Sequence, residues 1–192
     1  ASDVYKRQAV TFANALALEL RATGVSMNFA PVLDVATNSD NPVIGDRAIG
    51  EHVKDVSRLG QAIVSAIQAC GVAACGKHFP GHGDTSTDSH LCLPVVELEE
   101  PRLREVELDP FRSAIGAGVS ALMTAHVSYP ALDDEYPATL SSSIVGALLR
   151  DELCFEGLVM TDDMEMGAIA NNYDPIDASV RAVAAGCDVL LL

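Results

Sequence analysis

The fourteen residues from Lys77 to His90, KHFPGHGDTSTDSH, hold three of the chain's five histidines together with Asp84, Asp88 and a lysine. Pro80, Gly81 and Gly83 exclude a helix there and specify a tightly turned loop. Two chemistries fit these residue types. His78, His82, Asp84, Asp88 and His90 could ligate a metal ion. Alternatively, a histidine oriented by a carboxylate could act as general acid and base. In Asp88-Ser89-His90 the two side chains can meet within one turn. The carboxylate then accepts a hydrogen bond from one ring nitrogen and leaves the other free to give or take a proton. For any one of these histidines the competing reading is structural, a ring that ties the loop to itself.

Three further segments carry candidates. In Thr161-Asp162-Asp163-Met164-Glu165 two adjacent carboxylates follow an apolar run and project in different directions, so one can face a substrate while the other serves structure. Asp163 or Glu165 as a helix-cap or first-turn acid is the plain alternative. Arg47 stands in a Gly-bracketed loop, Asn38 to Gly50, where a guanidinium can hold sugar hydroxyls. An ion pair with Asp34, Asp40 or Asp46 would be its structural role. His126 ends the run Met123-Thr124-Ala125 and either lines a site or caps a strand.

The elements that must position these residues are legible in the spacing. Val25–Ala30, Val72–Cys75, Ala121–Thr124, Leu158–Met160 and Val189–Leu192 are short apolar runs near glycines, as strands buried on both faces should be. Val56, Leu59, Ile63, Ala66, Ile67 and Cys70 keep helical spacing up to Gly71. Leu108, Phe111 and Ile115 do the same, and so do Ile144, Val145, Leu148 and Leu149 behind the capping serines 141–143. A first helix is expected over about Ala9–Arg21, closed by Gly24. The pairs Cys70-Gly71, Ala117-Gly118 and Ala185-Gly186 turn each helix straight into the next strand. Alternating strands and helices with long polar βα loops and short αβ loops predict an α/β fold, a (β/α)8 TIM-type barrel. With five strands in 192 residues, against the roughly 250 of a whole barrel, the expectation is about five β/α units truncated at both ends. An open doubly wound sheet is the alternative, but no Gly-rich phosphate loop follows the first strand.

Composition narrows the partners. Twelve basic against 27 acidic residues give a net charge of -15, which repels phosphate backbones and anionic lipid heads. Neither a nucleic-acid nor a membrane partner is expected, and no apolar run is long enough to span a bilayer. Five cysteines without a CxxC pair read as buried free thiols in a reducing compartment.

In its motifs the chain resembles the family 3 glycoside hydrolases, specifically their bacterial β-N-acetylglucosaminidase branch. KHFPGHGDTSTDSH is the most specific element; NFAPVLDV, NPVIGDRAIG, MTAHVSYP, PATLS and GLVMTDDMEMGAI follow the family's order. The resemblance covers residues 9–192, a partial N-terminal barrel domain, with residues 1–8 a linker, helix lead-in or non-native segment. It implies release of terminal non-reducing GlcNAc with retention, largely from peptidoglycan fragments. It implies Asp162 as nucleophile, His90 as acid/base with Asp88 behind it, and Arg47, Lys77 and His78 as binders of the sugar in subsite −1. No metal or organic cofactor is implied, and a monomer acting on a GlcNAc-containing saccharide is expected. The compartment expected is the cytoplasm, with a secreted or envelope location as the alternative. The family's upstream strand or two, an acidic residue gripping the distal sugar hydroxyls, and the downstream units are expected to lie outside this chain. An unclosed barrel exposes sheet edges, so turnover is expected of the complete enzyme. Other family 3 activities, β-glucosidase or glycoside phosphorylase, and a non-catalytic sugar- or metal-binding role are the alternatives. The Asp88-His90 pair favours the N-acetyl branch over the glucosidases.

Overall fold

Successive residues of a strand face opposite ways. In the computed structural model, which describes residues 2–192, this alternation separates two cores. Cys75, Ala121, Met123 and Met160 cluster on one side of the sheet with Met27, Val189 and Leu191. Ala74, Leu122 and Val159 turn to the other side and join the large core beneath the helices.

Five strands make the sheet: β1 (Met27–Asn28), β2 (Ala73–Phe79), β3 (Ala121–Thr124), β4 (Leu158–Asp163) and β5 (Val189–Leu191). All pairs are parallel and the spatial order is the chain order. An open doubly wound sheet reverses its strand order at a switch point; this one never does. The fold is therefore a curled arc of five consecutive units of a (β/α)8-type barrel. The smaller core lines its concave interior and the larger core lies between sheet and helices.

Around the arc lie α1 (Ser2–Ala22), α2 (Val53–Ala69), α3 (Glu100–Arg102), α4 (Asp109–Gly116), α5 (Gly167–Ala170) and α6 (Pro175–Ala185). Wider, π-type turns occupy Leu103–Glu107 and Ser143–Glu152. α2 packs against both α1 and α4. Phe111 on α4 meets Phe79 on β2 edge to face, ring centres 5.3 Å apart, at the heart of the helix–sheet core. Gly71, Gly118 and Gly186 take positive φ of 80°, 75° and 116° at three of the helix-to-strand turns, where a side chain would be strained.

Several elements differ from their sequence expectation. β2 and β4 continue past their apolar runs, so Lys77, His78 and Phe79 belong to a strand rather than to the loop, as do Thr161, Asp162 and Asp163. The neighbours supply the reason. Lys77 N donates to Pro31 O, Leu33 N to Lys77 O, and Ala125 N to Phe79 O, so the ladder persists where the side chains turn polar. β1 is shorter than expected, and Pro31, with no N–H, follows it. The segment after Ser141 is π-type rather than α, although the expected cap is present, with Ile144 N donating to Ser141 Oγ at 3.0 Å. The first helix already begins at Ser2. All five cysteines are free, but Cys92 and Cys154 are exposed rather than buried. Among the described residues no helix is long and apolar enough to cross a membrane.

Truncating the ring that joins helix layer to sheet should be costly. Phe111→Ala is expected to lower the unfolding free energy by about 3–5 kcal/mol, measured by urea denaturation at constant m-value.

Candidate active site

Period two and its interruption decide which side chains reach the barrel mouth. Met160 faces the concave interior; Asp162 follows at the C-terminal end of β4, where the register shifts between Met160 and Asp163, and its direction is given by its carboxylate, which approaches the His78 ring. On β2 Lys77 follows Cys75 by two residues and shares its direction. The electrostatics agree. Burial pushes the Cys75 thiol up to about 12, Lys77 pulls it down, and Asp162 pushes it further up. Both charges therefore act on one interior thiol just below the mouth. The Asp162 side chain keeps 24% of its surface open.

The two aspartates face different partners. Asp163 is exposed, and its Oδ1 accepts from Glu165 N at 2.8 Å, closing the turn after β4. The Asp162 carboxylate lies with its Oδ2 3.9 Å from His78 Nε2. On the far side of that ring, His78 Nδ1 donates to Asp34 Oδ2 at 2.7 Å. Asp34 is wholly buried and also accepts from the backbone N of His78 and, at 2.6 Å, of His82. Burial alone would raise its carboxyl, but the charge and hydrogen bonds of His78, with further help from His82, hold it below the usual carboxylate range.

His90 and Asp88 form the dyad that their spacing suggests. His90 Nδ1 donates to Asp88 Oδ1 at 2.7 Å, and the His90 backbone N donates to the same oxygen at 2.8 Å. The imidazole is 60% exposed, so Nε2 is open to solvent or substrate. Slight desolvation raises the Asp88 carboxyl, and the bonds from His90 more than offset it, leaving the pKa lowered. The dyad is fastened to the segment just after Asp162. Gly167 N donates to His90 O and Ala168 N to Ser89 O, each at 3.0 Å. A Cβ on Gly167 would come within 2.6 Å of His90 O, so only glycine lets the loop dock this closely.

The other histidines hold the framework. His82 is buried, with Nδ1 on Thr85 Oγ1 and Nε2 on Ser89 Oγ, and burial drives its pKa down to about 4. His126 places Nε2 on Asp163 O and Nδ1 on Thr139 Oγ1, and burial lowers its pKa too. Both rings are neutral and use both nitrogens, so His126 braces β4 from behind. Asp84 accepts from Thr37 Oγ1 instead of facing its neighbours. Among the described residues no three His, Cys, Asp or Glu side chains converge so that they could hold a metal.

Lys77 Nζ lies 6.0 Å above the Phe29 ring at the mouth. Arg47 sits on a short 3-10 turn, Gly45–Arg47, exposed, with Nε donating to Val43 O. None of the ion pairs weighed for it forms; Asp34 is engaged with His78 and His82. Sequence reasoning missed the residues that tie the loop carrying Arg47 to the histidine loop. The Asn41 amide donates to His82 O, Gly83 O and Thr85 Oγ1, while its Oδ1 accepts from Val43 N and Ile44 N. Gly83 lies so close to Val35 O that a Cβ would overlap it at 1.8 Å. The signals available were Asn41 ahead of a proline and a carboxylate, Asp34, six residues past the end of the first strand.

An arc of consecutive (β/α) units with its polar groups gathered beyond the C-terminal strand ends is the layout of an α/β-barrel domain whose site lies on that rim. The family described as "Glycosyl hydrolase family 3 N terminal domain" matches residues 1–192, and the chain belongs to that family. It is 40% identical over 202 residues to beta-hexosaminidase A of Pseudoalteromonas piscicida, covering 99% of this chain and 33% of that protein. Among solved structures it is similar to a family 3 beta-N-acetylglucosaminidase from Paenibacillus sp. str. FPU-7, with 49% identity, a TM-score of 0.96, and coverage of 97% of this chain and 36% of that one. NagZ from Neisseria gonorrhoeae, solved in complex with N-trifluoroacetyl-D-glucosamine, matches at 34% identity and TM-score 0.91, covering 99% of this chain and 54% of that one. The chain thus spans about a third to a half of the length of these relatives.

The neutral state of His82 sets a pH dependence. Between its ordinary value of 6.5 and about 4 the unfolded chain takes up a proton that the folded ring refuses, so stability falls as pH drops through that window. The full effect is about 3 kcal/mol. Urea midpoints measured at pH 7 and pH 5 should diverge more for the native protein than for His82→Gln.

Proposed function

We propose that this domain carries the catalytic half-site of a retaining exo-β-N-acetylglucosaminidase. Asp162 attacks the anomeric carbon while His90, charged, protonates the departing glycosidic oxygen. Neutral His90 then takes a proton from water, which displaces the Asp162 carboxylate from the covalent glycosyl-enzyme. Asp88 keeps the His90 proton on Nδ1 and stabilises the imidazolium. Lys77, His78 and Arg47 hold the sugar in subsite −1. The observation that carries this reading is the latch between the two catalytic groups. The loop bearing His90 is hydrogen-bonded to Gly167, five residues beyond Asp162, which supports a shared mouth for the two groups. The names of the relatives support the choice of sugar, an N-acetylglucosamine unit.

Muropeptide-type fragments, GlcNAc linked to anhydroMurNAc, are the substrates we assign, and the unpaired thiols favour the cytoplasm as the compartment. The test is release of GlcNAc from GlcNAc–anhydroMurNAc by the full-length protein, with the anomer of the product followed by NMR. Retention is expected. Inversion, no release, or turnover only with phosphate present would each overturn the assignment.

Two substitutions separate the roles in steady-state assays. Asp162→Ala should abolish turnover of every substrate. His90→Ala should slow natural linkages by about 10²–10⁴-fold and slow an aryl glycoside with a good leaving group far less, because that aglycone needs no proton. Equal slowing of both substrates would remove His90 from the acid/base role.

A further inference from the structure

Asp34 takes no part in the chemistry above, yet it is a fully buried carboxylate beside the reacting groups. It accepts from two backbone amides, those of His78 and His82, and from the His78 ring. The 2.7 Å contact requires the hydrogen on His78 Nδ1, since an ionised carboxylate can only accept. The ring is thereby turned so that Nε2 faces Asp162 Oδ2. At 3.9 Å that pair is too long for a direct hydrogen bond. With its hydrogen on Nδ1 the ring presents Nε2 as a lone-pair acceptor beside the carboxylate, where a subsite −1 hydroxyl can donate to it. We infer that Asp34 is a positioning residue for glycosyl transfer, fixing the tautomer and plane of His78 so that Nε2 accepts from a subsite −1 hydroxyl and holds the sugar in register with the nucleophile. This rests on the reading of Asp162 as nucleophile and deepens it, because Asp34 itself is sealed from the sugar.

A merely structural Asp34, pinning the ends of two loops, would look the same in a static picture. Asp34→Asn separates the roles. The amide oxygen can still accept from the His78 and His82 backbone amides. Its NH2, however, faces Nδ1 as a donor and drives the ring hydrogen to Nε2, as an Asn behind a catalytic histidine inverts the tautomer while leaving geometry intact.

In the full-length protein Asp34→Asn is expected to lower kcat and kcat/KM together by about 10²-fold, with a melting temperature close to that of the native protein. Placed on top of His78→Ala it should cost no more than about a further twofold. Native rates in Asp34→Asn, or an undiminished extra loss in the His78→Ala background, would overturn the proposal. Should Asp34→Asn fail to fold, the ring nitrogen shifts of 15N-labelled native protein decide: a protonated Nδ1 on His78 supports the proposal, and a bare Nδ1 refutes it. The two assignments fail separately. Retained turnover in Asp162→Ala would sink the nucleophile assignment, while the tautomer of His78 stands or falls on its own spectrum.

Discussion

A carboxylate with no access to water must be satisfied on every side, and Asp34 is satisfied by three separate hydrogen-bond donors from the second strand and the loop that leaves it. Stripping such a group of its partners leaves a buried charge uncompensated, a penalty of several kcal/mol. The segments around Asp34 therefore cannot move independently. His78 is held in orientation, His82 is drawn under the loop, and the chain after β1 is drawn against the end of β2. Asn41 extends the same logic outward by binding two carbonyls and a hydroxyl of the histidine loop. The rim is in effect one polar network laid over an apolar barrel interior.

That interior decides where the network can sit. Met160 and Cys75 fill the concave face, and two residues further along their strands stand Asp162 and Lys77. On β2 two more residues lift the charged Lys77 from core to mouth; on β4 Asp162 lies where the ladder shifts register between Met160 and Asp163. The neighbouring strands continue the backbone ladder through these polar positions, so the charged groups stand on rigid elements rather than on loops. His126 adds support from behind β4, locked neutral by burial and by partners on both nitrogens.

Much of this was legible in the residues alone. The three helix-to-strand glycines, the helix over 53–69 and the strand over 121–124 follow directly from apolar spacing and turn chemistry. The Asp88–His90 contact follows from a two-residue spacing. What spacing could not reveal is how far a strand continues once its side chains become polar. That depends on partners up to 46 residues away, and it moved Lys77, His78 and Asp162 from loop to strand. Nor could it divide the histidines by role. His82 and His90 occur in similar company, yet one is enclosed by Thr85 and Ser89 and the other stands open. Burial makes that distinction, and burial is a property of the whole fold. The exposure of Cys92 and Cys154 escaped the sequence for the same reason.

The docking of the dyad loop onto the first residues of α5 limits how the molecule can vary. The segment from His82 to His90 is tethered at one end by Asp34 and Asn41 and at the other by the amides of Gly167 and Ala168. Its contour length is thus matched to a fixed gap. Side chains between the tethers can be exchanged where they face solvent, but adding or removing one residue would carry the imidazole along the chain and out of step with the nucleophile's strand. Loop length at this place is a geometric constant of the site, as binding as the identity of the groups that react.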